Sequence, residues 1–314
     1  MFILDKEIKC TSRKDRIEVF PFFDTHVGKR NCAEHAIKKQ IAEILRRSKM
    51  PHRHALILFG GDQVNAINTA DLRRFDFSEL ADWFVVPSEV ELAKALSERD
   101  VASIIKAKLS NICEQEVSRF VSLFTPVKHL IVGALYGNHE KSMRTKQNVD
   151  VHSAICDRLN MTNLTDEAIV RLRFRRGKHS RKIVSIYLRH GYGAGRTAGA
   201  EPNKLSRMMA EWECADVCLS GHSHSYQVMP PKPVPYVSEA GGELSLRYRY
   251  RFGANPGSWL YSHLMGDGNY ESANCYPATP MMTCKIVIWP FWHTTVNGVD
   301  VERPKIEIRE YTIL

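Results

Sequence analysis

The chain lacks the cysteine patterns that announce a thiolate metal site or a disulfide framework. Its eight cysteines (Cys10, Cys32, Cys113, Cys156, Cys214, Cys218, Cys275 and Cys284) are scattered and form no C-x-x-C pair, which argues against structural zinc and against an extracellular scaffold. No apolar run approaches the ~18–20 residues of a membrane span. The opening Met1-Phe-Ile-Leu-Asp-Lys-Glu places a charge at Asp5 where a signal peptide would need its apolar stretch. These absences predict reduced, mostly buried thiols in a cytoplasmic protein with no membrane partner. Internal repeats, low-complexity tracts and Pro/Ser linkers are missing too, so a single domain over 1–314 is expected.

What is present fits a globular chain. Of 314 residues, 44% are apolar and 25% charged, which excludes wholesale disorder, collagen and coiled coil. The 44 Lys and Arg against 35 Asp and Glu leave a net charge of +9, as expected for a polyanionic partner or a phosphate-bearing substrate.

Short apolar runs alternate with amphipathic segments. Strands are predicted at Arg16–Phe23, Ala55–Phe59, His129–Leu135, Ile183–Leu188 and Ala215–Leu219. Between them, Ile37, Ile41, Ile44 and Leu45 recur at helical spacing. Ser88 and Glu91 form a capping box ahead of a stretch stopped by Pro126, and Leu205, Met208, Met209 and Trp212 make another stripe. The alternation predicts an α/β fold, with a core over about 16–226 and a strand-rich C-terminal part over about 240–314 that includes Lys285–Trp289 and Lys305–Arg309.

All five main strands lead within a few residues to metal-ligand residue types: Asp24-Thr-His26, Gly61-Asp62, Gly137-Asn-His-Glu140, His190-Gly191 and Gly221-His-Ser-His224. Strand C-termini are where α/β folds gather ligands. A G-H-x-H would occur only about 0.03 times in a shuffled chain of this composition, so the ordered set outweighs any single motif. Carboxylate, imidazole and amide oxygen without thiolate suit Mn, Fe, Zn or Ni.

The ordered set D-x-H, G-D, G-N-H-E, H, G-H-x-H resembles the calcineurin-like metallophosphoesterase superfamily over about residues 20–226. The resemblance implies a four-layer sandwich of two mixed β-sheets flanked by helices, holding two divalent metal ions, with manganese first among the candidates. Asp24, His26 and His224 would bind one ion. Asn138, His190 and His222 would bind the other, Asp62 would bridge them, and His139 would face the leaving oxygen. The implied reaction is attack of a metal-activated hydroxide on phosphorus, with a phosphate ester as substrate.

Departures narrow the choice. Protein Ser/Thr phosphatases of the superfamily carry G-D-x-V-D-R-G, whereas this chain reads Gly61-Asp-Gln-Val-Asn-Ala-Ile67. Asn65 thus replaces the carboxylate that would orient the catalytic histidine. Its amide can reach the ring but cannot offset its charge. Repair nucleases more often read G-N-H-D where Glu140 stands.

Three residues are candidate substrate contacts: Asn65, and Arg196 and Lys204 in and after the glycine-rich stretch 190–199, whose backbone N–H groups could hold phosphate. Arg171, Arg173, Arg175, Arg176, Lys178, Arg181 and Lys182 crowd one stretch, while Arg247, Arg249 and Arg251 alternate with Tyr248 and Tyr250. Strand period puts alternate arginines on one face, where they could track nucleic acid or merely guard a solvated hairpin. The reading is a phosphodiesterase acting on nucleic acid or a nucleotide. A small-molecule phosphomonoesterase and an inactive nucleic-acid-binding module of the same fold are the alternatives.

Overall fold

A computed structural model describes residues 1–67, 79–84, 112–178, 180–193, 197, 199–240, 243–262, 281–296 and 299–313. Ser88, Glu91, His179, Arg196, His263 and Cys275 lie outside the described residues. In chain order the elements are β1 (Phe2–Cys10), β2 (Arg16–Phe22), α1 (Glu34–Ser48), β3 (Arg53–Gly60), α2 (Ile112–Phe124), a 3-10 turn (Thr125–Leu130), β4 (Ile131–Leu135), α3 (Asn138–Gln147) and α4 (Val151–Leu159). There follow β5 (Thr162–Asn163), β6 (Glu167–Arg176), β7 (Ser180–Arg189), α5 (Ala200–Glu211), β8 (Val217–Ser220), β9 (Gln227–Val228), β10 (Lys232–Ala240), β11 (Glu243–Asn255), β12 (Met282–Val296) and β13 (Val299–Thr312).

The fold is α/β with two mixed sheets. One has the order β1-β6-β7-β8-β11-β10, with β9 beside β11; the other has the order β13-β12-β2-β3-β4-β5. In the second sheet β2, β3 and β4 run parallel, while β12 enters antiparallel. Parallel strands buried on both faces need apolar residues at every position, and β3 supplies them. Ala55, Ile57 and Phe59 meet the helices α1, α2 and α4. Leu56 and Leu58 meet Leu172, Phe174, Val184, Ile186 and Leu188 of the opposite sheet. On the first sheet, Leu205, Met208 and Met209 of α5 cover Ile169, Tyr187 and Cys218.

α1 and α5 form where the periodicity places them, while α3 and α4 fall outside the predicted segments. Ile37, Ile41 and Ile44 are the buried stripe of α1, and α2 ends at Phe124, two residues before Pro126. His129 and Leu130 belong to the 3-10 turn after Pro126 and not to β4, because the proline starts a tight turn that delays the strand. β1 carries charge at Asp5, Lys6, Glu7 and Lys9, which breaks the apolar pattern and hides it as a strand. It pairs parallel with β6 so that Asp5 stands opposite Arg171 and Glu7 opposite Arg173.

Candidate metal centre

Each predicted ligand lies just beyond a strand's C-terminal end, and the loops are laced together there. The Asp24 and His26 N–H groups donate to the Gly61 and Asp62 carbonyls at 3.1 and 3.0 Å, and Gly221 N–H donates to the His190 carbonyl at 2.8 Å. Asp24, His26, Asp62, His222 and His224 all adopt left-handed backbone conformations, with φ of 50°, 43°, 50°, 71° and 56°. Such a conformation costs a non-glycine residue about 1–2 kcal/mol and persists where surrounding structure enforces it. It reverses the chain so sharply that carboxylates and imidazoles from successive strand ends meet. Glycine is required at two of these junctions. A Cβ on Gly137 would run into the Asp62 carboxylate, and one on Gly61, at φ 102°, into the His190 ring.

The side chains converge into two groups. Asp24, His26 and His224 offer ligand atoms within 4.8 Å of one another, and so do Asp62, His190 and His222. Asp62 lies between them, its Oδ2 3.2 Å from His190 Nε2 and 3.7 Å from His26 Nε2. Asn138 Oδ1 closes the second group, 3.0 Å from His190 Nε2 and 2.7 Å from His222 Nδ1. In the first group His26 Nε2 and His224 Nε2 approach to 3.2 Å. His190 Nδ1 donates to the Gly60 carbonyl at 2.9 Å, which orients the ring with Nε2 aimed at the cluster.

The residues fit divalent cations. Asp24 and Asp62 are 0% and 1% exposed, yet Asp24 Oδ1 has no hydrogen-bond partner. Burial raises Asp24 to about 8, although His190 opposes the shift. Burial pushes His26 well below its ordinary range, His222 to about 4 and His224 to about 3. Burial would also depress His190, but the Asp62 and Asp24 carboxylates outweigh it and raise this ring to about 10. Two buried carboxylates thus face three rings that burial keeps neutral and one, His190, that they hold in its charged form, so the cluster attracts positive charge that a divalent ion would supply in place of that proton. An oxygen- and nitrogen-only donor set suits hard to borderline metals.

Supporting residues are less visible in sequence. Glu140 accepts the N–H groups of Gly137, Asp62, Gln63 and Val64 at 2.8, 3.1, 2.6 and 3.3 Å. Burial and the nearby Asp62 raise its carboxyl to about 7 despite those donors. Glu140 is thus a clamp between the second and third loops. The expected role of the Asn65 amide is also corrected: His139 Nδ1 bonds the Asn65 backbone carbonyl, and Asn65 Oδ1 is buried with no hydrogen-bond partner. Around the last loop, Ser223 Oγ donates to Glu201 Oε2 at 2.8 Å and Asn255 Nδ2 donates to Ser223 Oγ at 2.9 Å.

Lys204 donates to the Gly193 carbonyl and lies 3.5 Å from Glu201, so its ammonium is held by neighbours. The arginine rows are likewise partnered. Arg171 and Arg173 lie 3.5 and 3.4 Å from Asp5, and Arg175 lies 3.6 Å from Glu7. Arg251 is buried on the Ala215 and Trp212 carbonyls. His52, His152 and His293 have partners in Asp15, Asn163 and Glu302. A further group, Cys10, Asp15 and His54, also brings ligand atoms together. There, however, Asp15 already accepts from Thr11, Ser12 and His52, so its carboxylate is satisfied without a cation.

Among the described residues no helix is long and apolar enough to cross a membrane. No family model and no curated protein matches the sequence. Among solved structures the chain is similar to a conserved uncharacterized protein, a predicted phosphoesterase, from Streptococcus pneumoniae TIGR4. The two share 12% identity over 92% of this chain and 98% of that one, with a TM-score of 0.29, a likeness too slight to bear on fold or function.

Proposed function

We propose that this chain is a binuclear metal-dependent phosphoesterase of the calcineurin-like type, cleaving phosphodiesters of nucleotides or nucleic acid. The observation that carries this reading is the pair of His/Asp groups meeting at Asp62 beyond the strand ends of the two sheets. Two facing sheets with helices on their outer sides suit the four-layer sandwich of that superfamily.

In this reading Asp24, His26 and His224 hold one divalent ion and Asn138, His190 and His222 the other. Asp62 serves both, and manganese, iron, zinc or nickel is compatible with the donors. When bound, such a pair supplies Lewis acidity toward phosphate and a hydroxide nucleophile near neutral pH. The chain's own residues do the rest. Asp62 is anchored by the His139 N–H at 3.0 Å, which fixes its direction. His139, whose ring lies 4.7 Å from that of His26, has Nδ1 committed to the Asn65 carbonyl. Its Nε2 would carry a proton to the departing oxygen. The net charge of +9 concentrates polyanionic esters around the molecule.

The test combines metal analysis with a substrate panel: a bis-nitrophenyl phosphodiester, its monoester, a nucleotide diester and an oligonucleotide. Two divalent ions per chain and diester hydrolysis abolished by a chelator are expected. Preference for the monoester would make the chain a phosphomonoesterase. A chain that binds oligonucleotide without metal or turnover would be a binding module, and the proposal would fall.

A further inference from the structure

A fully buried carboxylate stands behind the histidine of the site, on a helix that contributes no other group to it. Glu116, in α2, is 0% exposed. Its Oε2 accepts the Ala66 N–H at 2.9 Å, while its Oε1 is buried with no hydrogen-bond partner. The Ala66 N–H and the Asn65 carbonyl belong to one peptide unit, and a trans peptide points these groups in opposite directions. One side of that plane is therefore pinned to Glu116 and the other to His139 Nδ1.

Two further features hold this arrangement. Ala66 sits in the left-handed region at φ 46°, a conformation that an unassisted alanine avoids. Gly28, at φ 111°, leaves the room that the Glu116 carboxylate fills, and a Cβ there would overlap it. The Asn65 N–H, in the preceding peptide, donates to the Val27 carbonyl at 3.1 Å, so the backbone on the near side of this peptide is fixed as well.

We infer that Glu116 is a positioning residue for His139, acting through the Asn65–Ala66 peptide. The inference rests on the proposed phosphoesterase reading for its catalytic consequence. A peptide carbonyl is a fixed acceptor only while the peptide cannot rotate, and Glu116 prevents that rotation. Polarisation along the chain Glu116, peptide, imidazole strengthens the bond to Nδ1. Burial drives the Glu116 carboxyl well above its ordinary range, so a neutral acceptor such as glutamine can serve at this position.

The experiment compares wild type, Glu116→Gln and Glu116→Met in the metal-loaded protein. The Gln variant keeps an acceptor for Ala66, while Met keeps a similar unbranched bulk without one. The readouts are the His139 ring nitrogen signals by NMR and the turnover of an alkyl and a nitrophenyl phosphodiester. Glu116→Met should shift the His139 tautomer and lose roughly ten- to a hundred-fold on the alkyl ester, where a proton donor matters. It should change the nitrophenyl ester less than about three-fold, since that group leaves without a proton. Glu116→Gln should restore both the ring signals and the alkyl rate.

Equal losses on the two esters, or a wild-type His139 signal in Glu116→Met, would overturn the inference. A wild type inactive on both esters would sink the phosphoesterase reading instead, and the ring signals would still decide the positioning role. If the Met variant does not fold, Gly28→Ala, which displaces the same carboxylate, takes its place with the same expected outcomes.

Discussion

Replacing Asp62 by asparagine preserves the shape of the side chain but removes the one anion that two cation sites would share. Its Oδ1 can still accept the His139 N–H that it now accepts at 3.0 Å, so the fold should survive. Asp62→Asn should therefore abolish phosphodiester hydrolysis and reduce bound metal while the protein still melts cooperatively. Near-wild-type turnover in a folded variant would refute the shared-carboxylate assignment. His139 obeys a different rule, because in the proposed reaction it would contribute through a proton. His139→Ala should depress an alkyl ester by about 10²–10⁴-fold and a nitrophenyl ester far less. Asn65→Asp should leave the alkyl rate unimproved, since the ring is held by the residue 65 backbone and not by its side chain.

Elements carry two consequences of their own. The start of α3 is welded to the β3 loop by Glu140, whose carboxylate accepts from Gly137, Asp62, Gln63 and Val64. Glu140→Gln turns an NH₂ group toward buried N–H donors, and hydrogen bonds to charged groups are worth about 1.5–3 kcal/mol each. A loss of about 3 kcal/mol in denaturant unfolding is expected, together with weakened metal binding. The second consequence concerns α4, where His152 is 2% exposed and bonds Asn163 Oδ1 at 3.2 Å. Burial lowers its pKa from 6.5 to about 4. A depressed histidine contributes stability that is present above the unfolded value of about 6.5 and is lost as the pH falls toward 4. The loss amounts to on the order of 3 kcal/mol. Melting temperatures of wild type and His152→Gln should converge between pH 7 and pH 4.5; a constant difference would exclude this origin.

These two glutamates also show where sequence reading stops. The ligand types were legible because each follows a doubly buried strand, next to glycines, in an order that chance does not produce. Glu116 and Glu140 serve by accepting backbone N–H groups, and no spacing between side chains encodes such a contact. β1 stayed hidden for a related reason. Its charges read as solvent-facing, yet Asp5 and Glu7 are placed opposite arginines of β6 by a register that only the folded sheet reveals. At residue 65 the sequence shows an amide where protein Ser/Thr phosphatases carry a carboxylate, but the contact with the His139 ring comes from the backbone carbonyl, which no side-chain identity encodes.

At the scale of the molecule, the sheets have a site edge and a far edge. The candidate metal residues gather where β2, β3, β4, β7 and β8 end. β11 meets the parallel β8 only over Phe252–Ala254, and β12 meets β2 only over Ile286–Ile288. The earlier part of β11 with β10, and the later part of β12 with β13, therefore run out past the opposite edge as two-stranded ribbons. A groove of about 1210 Å³ separates them, lined among others by Tyr236, Tyr248, Tyr250, Trp292 and Arg303. The arginine cluster lies toward that edge too. Arg175 is opposite Arg181 in the β6–β7 pair, whereas Glu167 is opposite Arg189, next to His190. Eight residues of strand at about 3.3 Å each separate Arg181 from Arg189, roughly 26 Å.

An ester bound at the metal edge would not touch this row unless it were a long nucleic acid wrapped around the sheet. The arginines already face Asp5 and Glu7, in half-exposed pairs of the kind worth about 0–1 kcal/mol. Reversing Arg173 and Arg175 to glutamate places like charges along the β1–β6 ladder. That should lower the melting temperature by a few degrees. Hydrolysis of a dinucleotide diester and of a short oligonucleotide should then keep the wild-type ratio at every salt concentration. If the row instead neutralises phosphates, oligonucleotide affinity in the wild type falls steeply with salt, and the double variant flattens that slope. A selective loss on the oligonucleotide would relocate the nucleic-acid path from the metal edge to the β1–β6–β7 face.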